Sequence, residues 1–145
     1  MSDTTPLYDA VYRNSEKDVQ GILGTEQGRR DINTLFDNRT PLMRAAREGY
    51  TGIAGQLVAA GADVDATTRK GFTALHWAAA KGYTPIVTAL LAAGANPSPK
   101  NKWGATPAAY ANYYRHAHIA TVLEAAAAKV CARPVDDPTL MCGCR

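Results

Sequence analysis

Three histidines (His76, His116, His118) and three cysteines (Cys131, Cys142, Cys144) are the side chains on which acid–base, nucleophilic or metal chemistry would draw. Their spacing supports little of it. Helix faces repeat every three or four residues, so His116 and His118, two apart, diverge. His76 lies between Leu75 and Trp77 with no nucleophile at a constrained turn beside it. The cysteines stand eleven and two residues apart, unlike the paired short spacings of a structural zinc site. Cys142 is fourth from the end, the prenylation position, but Gly-Cys-Arg follows it without aliphatic residues. Thioester acylation of Cys142 or Cys144 is the modification such thiols suit, one acyl chain anchoring only reversibly, and unmodified thiols are the plainer reading. Asp63 and Asp65 occupy a turn, where carboxylates cap local amides. Gly24 to Gly28 lack both the lysine and the strand–turn–helix setting of a phosphate loop. The residues thus point to a non-enzymatic protein with no cofactor, metal or small-molecule substrate.

Composition bounds the alternatives. The chain has 145 residues, 46% of them hydrophobic, enough for one compact domain with a continuous core. Net charge is +3: residues 1–34 carry four basic and six acidic side chains, residues 35–100 seven and four, residues 101–145 five and three. Such an excess slightly favours an acidic partner and is a weak footprint for nucleic acid, despite Arg69, Lys70, Lys100 and Lys102. No window approaches the roughly 18 consecutive apolar residues of a membrane span, so a membrane enters only if the tail is acylated. The opening Met-Ser-Asp-Thr-Thr-Pro reads as no secretory signal, and Ser2 stands where N-myristoylation needs glycine. With every cysteine in the last fifteen residues, a reducing, cytoplasmic setting is expected, the nucleus not excluded.

Any functional side chain must be positioned by a repeat. Thr5, Thr40, Thr73 and Thr106 recur at intervals of 35, 33 and 33 residues, and Gly49/Gly82, Tyr50/Tyr83 and Gly61/Gly94 are each 33 apart. A fixed period in this range is the signature of a solenoid. The units read as helix, tight corner, helix and turn. Threonine caps the first helix, with proline next in Thr40-Pro41 and Thr106-Pro107. Leu75, Ala78 and Ala79 line one face of it, and the small alanines permit close approach of neighbours. Gly49 and Gly82 serve the corner, Thr84-Pro85 is the expected cap and proline of the next helix, and Ile86, Val87, Leu90 and Leu91 form its stripe before Gly94.

These residues resemble the ankyrin-repeat family, whose motif runs Gly-x-Thr-Pro-Leu-His-x-Ala-Ala, then Gly, Ile-Val, Leu-Leu and Gly-Ala-Asp-Val-Asn. Gly71, Thr73, Leu75, His76, Ala78, Ala79, Gly82, Ile86, Val87, Leu90, Leu91, Gly94, Ala95 and Asn96 carry the match, and Thr40 to Val64 repeat it. The resemblance covers about residues 3–127. It implies an all-α solenoid of helix-turn-helix units joined by short β-turn or hairpin connections. The expected domain spans 3–130, with repeats at about 3–34, 35–67, 68–100 and 101–130, and a cysteine-containing tail over 131–145. The outer units depart from the motif as caps. Residues 25–30 form a longer loop, Ala108, Ala109 and Glu124 replace larger or apolar residues, and Ala127 replaces a glycine, letting the last helix continue over Ala125 to Val130.

The resemblance also implies that His76 ties its turn to the next unit, and that partners bind on the concave face. Carried over by position, that face holds Arg39, Arg47, Arg69, Lys70, Phe72, Trp77, Lys81, Lys102, Trp103, Tyr110, Tyr113 and Tyr114. Rings give contact area at low entropy cost, and cations give charge-assisted hydrogen bonds. Such a surface suits a monomeric protein-interaction module whose partner is another protein with an acidic, partly apolar segment. Three alternatives stay open: a lipid-anchored adaptor acylated at Cys142 or Cys144, rings that merely pack between first helices, and, last, an enzyme or nucleic-acid binder.

Overall fold

The computed structural model describes residues 5–131, with side chains as far as residue 128. Within that span each unit contributes a helix pair: α1 (Pro6–Tyr12) with α2 (Glu16–Leu23), α4 (Pro41–Glu48) with α5 (Thr51–Ala59), α6 (Ala74–Lys81) with α7 (Thr84–Ala92), and α8 (Pro107–Tyr113) with α9 (Ala117–Cys131). A further helix, α3 (Glu26–Asp31), follows the first pair. First helices pack in one row, α1 on α4 on α6 on α8, and second helices in another, α2 on α5 on α7 on α9. This is the expected all-α solenoid, without a sheet among the described residues.

Local chemistry fixes each helix start. The Thr5, Thr40, Thr73 and Thr106 hydroxyls accept from the amides of Tyr8, Met43, His76 and Ala109 at 3.3, 3.2, 3.4 and 3.2 Å. Each first helix then stops before a residue in the left-handed region: Asn14, Gly49, Gly82 and Arg115, with φ of 55°, 81°, 83° and 66°. Gly49 and Gly82 satisfy a second demand, because the next unit's Tyr83 and His116 rings cover them. A Cβ added at Gly49 would lie 2.6 Å from Tyr83, and one at Gly82 2.7 Å from His116.

The core is continuous along the stack. Leu42, Ala45 and Ala46, then Leu75, Ala78 and Ala79, are buried from the first helices. Val19, Ile53, Leu57, Ile86, Val87, Leu90, Ile119 and Leu123 come from the second. Each buried leucine contributes about 2 kcal/mol.

The connections are tight hairpin turns. In unit three Thr68 N–H donates to the Phe72 carbonyl at 2.9 Å, and in unit four Asn101 N–H donates to Ala105 at 3.0 Å. Inside each tip the side chain at the equivalent position holds the turn. Thr68 Oγ1 accepts from the Lys70 and Phe72 amides, and Asn101 Oδ1 from the Trp103 and Ala105 amides. Unit two has Leu35 there, which can accept nothing, and its tip is shorter. Phe36 and Arg39 pair across Asp37 and Asn38, both left-handed at φ 48° and 62°. Rungs join successive turns: Asn33 Oδ1 accepts from Asp63 N–H, Asn38 Oδ1 from Arg69 N–H, and Asp65 Oδ1 from Asn96 N–H.

Three local expectations change and a fourth holds. Residues 26–31 are helical rather than loop, because the Thr25 hydroxyl accepts from Gly28 N–H at 3.0 Å and starts α3. Thr84 is the first residue of α7 and not its cap; Tyr83 occupies the cap position without a side-chain hydrogen bond, and Pro85 is second. Asp63 caps locally, to Asp65 N–H at 3.0 Å, but the Asp65 carboxylate bridges units instead. Ala127 lies within α9, which runs fifteen residues against nine for α5 and α7, as loss of the stopping glycine implies.

The corner makes a sharp test. Gly49→Ala places a Cβ both in left-handed backbone and against Tyr83, and is expected to cost about 2–4 kcal/mol. Arg115→Gly removes the backbone strain and is expected to raise stability by up to about 1 kcal/mol, after glycine's own entropy cost. Urea midpoints read both; movement of both variants in one direction would refute the corner's role.

Candidate functional site

The threonine caps set a common register for side chains that leave the core. Four residues after each cap come Asp9, Arg44, Trp77 and Tyr110; seven after come Tyr12, Arg47, Ala80 and Tyr113. Three-residue spacing puts both members of a pair on one face of a short helix. Stacking of first helices then brings one unit's side chains over the next. The Arg44 guanidinium lies 4.8 Å from the centre of the Tyr12 ring, and those of Arg39 and Arg47 lie 5.5 and 5.9 Å from Trp77.

Phe72 is the hub of an aromatic cluster between units three and four. It stacks on Trp77 (centroids 5.4 Å, planes 28° apart) and meets Tyr110 at 5.6 Å, His76 at 5.5 Å and Trp103 at 6.1 Å. The Lys70 ammonium lies 5.9 Å from the Trp103 ring. Tyr110 is oriented by Asn101, whose Nδ2 donates to its hydroxyl at 3.0 Å. Cations and rings therefore share the first-helix side from Tyr12 to Trp103.

A family model described as ankyrin repeats (3 copies) matches residues 7–101 and 42–134. The chain belongs to the ankyrin-repeat family. Its general role is accordingly that of the ankyrin repeat, protein–protein interaction. Over 73 residues, 50% of the chain, it is 37% identical to neurogenic locus notch homolog protein 1 of Xenopus laevis. It is 36% identical over 73 residues to the Xenopus tropicalis protein of the same name. The chain spans only 3% of the length of either relative.

Within this ankyrin stack the residues expected at the surface separate into groups. Arg39, Arg47, Lys70, Phe72, Trp77, Trp103 and Tyr110 are brought together by the contacts above. Trp77 and Phe72 are half-buried, Trp77 also packing on the core, whereas Trp103 is 63% exposed. Tyr113 and Tyr114 are 80% and 52% exposed and meet each other at 5.1 Å, outside the Phe72 cluster. Arg69, Lys81 and Lys102 are exposed, and Lys102 N–H donates to the Lys70 carbonyl at 2.8 Å. Cys142 and Cys144 lie outside the described residues. Among the described residues no group of three or more His, Cys, Asp or Glu could hold a metal, and no helix is long and apolar enough to cross a membrane.

Two features escaped the sequence reading. Leu35 is 51% exposed at the tip position filled by Thr68 and Asn101 in the next units, and the period itself marks it. Asn14 and Arg115 are the corner residues of the outer units, legible from the same spacing as Gly49 and Gly82.

His76 joins the cluster to the fold. Its Nδ1 accepts the Thr73 N–H at 3.1 Å, so the proton sits on Nε2, which donates to the Ala105 carbonyl of unit four at 3.0 Å. The Nδ1 bond needs the neutral ring, whereas the Nε2–H bond to Ala105 survives protonation. Burial lowers the His76 pKa below its ordinary value of 6.5, against a smaller raising effect of the bond to Ala105. The unfolded chain therefore takes up this proton at higher pH than the folded one. The stability His76 confers is complete above about pH 6.5 and is lost as pH falls through that value toward the lower folded pKa. Wild type is expected to lose more stability between pH 7.5 and 5.5 than His76→Gln, with urea titrations at each pH as the measure. Parallel slopes would refute a contribution of His76 to the pH dependence.

Proposed function

We propose that the chain is a non-enzymatic, monomeric interaction module that captures a partner protein by an acidic, partly apolar segment. The docking surface is the face formed by the first helices and turn tips of units two to four, the concave side in this family. The supporting observation is the ring-and-cation cluster running across three units, from Arg39 and Arg47 through Trp77 and Phe72 to Trp103 and Lys70. Its rings are already held by one another, so little side-chain entropy is lost on binding. Trp103 offers an exposed indole beside the Lys70 ammonium, and Lys102 stands next to it in the chain, a setting suited to apolar side chains of a segment that is acidic overall.

Trp103→Ala combined with Lys102→Glu is expected to weaken partner capture at least about tenfold. Stability should fall by no more than about 1 kcal/mol, since only rim contacts of the Trp103 ring are lost. Capture from native lysate, read by mass spectrometry beside thermal unfolding of the same samples, separates the effects. Loss of folding in step with loss of capture would make these residues structural.

A further inference from the structure

The proposed docking face is not uniform along the stack. At the two outward positions, α4 presents Arg44 and Arg47, α6 presents Trp77 and Ala80, and α8 presents Tyr110 and Tyr113. Guanidinium groups are therefore gathered on unit two, with Arg39 of its tip beside them, and rings continue through units three and four. The tip cations Arg69, Lys70 and Lys102 are exposed and steer an anion without fixing its place.

Unmet hydrogen-bond donors mark the charged end. Arg44 Nε and Trp77 Nε1, four residues after Thr40 and Thr73, are buried without an acceptor among the described residues. A buried donor left unpaired is a standing demand for an acceptor. The carboxylates at hand are committed: Asp37 lies 3.5 Å from Arg39, and Glu48 3.6 Å from Arg44. Arg47 has no ion pair among the described residues and lies over the same Trp77 ring as Arg39. A carboxylate arriving between α4 and α6 would find Arg47 and the Trp77 indole N–H together as the guanidinium groups swing off the ring to meet it. Past Trp77 the stacked Phe72 and the exposed Trp103 favour apolar side chains.

We infer that the partner segment lies along the stack with a fixed polarity, its carboxylates at Arg47 and the Trp77 indole edge and its apolar side chains on Trp103 and Tyr110. This polarity rests on the same face being the docking surface, and its failure is separable from failure of that reading. The probe is a random dodecapeptide library displayed on phage and selected on the full chain. The selected peptides are then titrated into nitrogen-15-labelled protein, where the two tryptophans give two indole N–H signals. Replacing a peptide's Asp and Glu by Asn and Gln is expected to abolish the shift at Trp77 while leaving that at Trp103. Replacing its apolar residues by alanine should do the reverse. Arg47→Glu should weaken the acidic peptides about tenfold and leave their amide versions unchanged.

Peptides that are lost on Trp103→Ala/Lys102→Glu, but whose carboxylates move both indoles alike or neither, would overturn the polarity and keep the docking face. Recovery of no peptide sensitive to that double substitution would overturn both.

Discussion

None of the helices from α1 to α8 exceeds nine residues, too few to persist alone in water, so every unit is folded by its neighbours. This dependence decides where each kind of residue sits. Alanine fills the packed side of α4 and α6 because first helices must approach closely, and branched or long aliphatics fill α5 and α7. Hydrogen bonds from Asn33, Asn38 and Asp65 to the following unit add a polar seam along the turns, so the rows are held at their edge as well as at their core.

The same constraint creates the surface. Since all units share one register, whatever lies four or seven residues after a threonine cap is presented outward in line with its counterparts. A ladder of rings and cations follows from the stacking without any residue being placed for a neighbour individually. Unit two differs at its tip, where Leu35 cannot serve as Thr68 and Asn101 do. The chain there resolves the turn with two left-handed residues, Asp37 and Asn38, that tolerate the strain better than most. An exposed leucine where local structure asks for an acceptor breaks a rule that the other units keep.

The period made the architecture legible: threonine caps, corner glycines and aliphatic stripes are backbone demands that recur, so sequence alone exposes them. What it hid was context of lower symmetry. Residues 25–30 read as loop because so short a segment carries little periodic signal, and a single hydroxyl, Thr25, starts a helix over Glu26–Asp31 there. Phe72 is expected as one partner-facing ring among many, yet becomes a hub because three of its ring neighbours, Trp77, Trp103 and Tyr110, come from two different units. Spacing within one unit carries no information about that meeting.

Fold and surface are finally coupled at one side chain. The His76 ring spends both nitrogens on structure, one on its own helix start and one on the turn of unit four, while its edges contact Phe72 and Tyr110. The ring thus anchors the unit junction and floors the aromatic cluster together. The equivalent positions Tyr8, Met43 and Ala109 lack a comparable acceptor, so this joint exists only between units three and four among the described residues. This tie between units three and four lies directly beneath the rings proposed to meet a partner. Phe72 and Tyr110 are thereby held by the same ring that ties the units, which favours a preorganised surface.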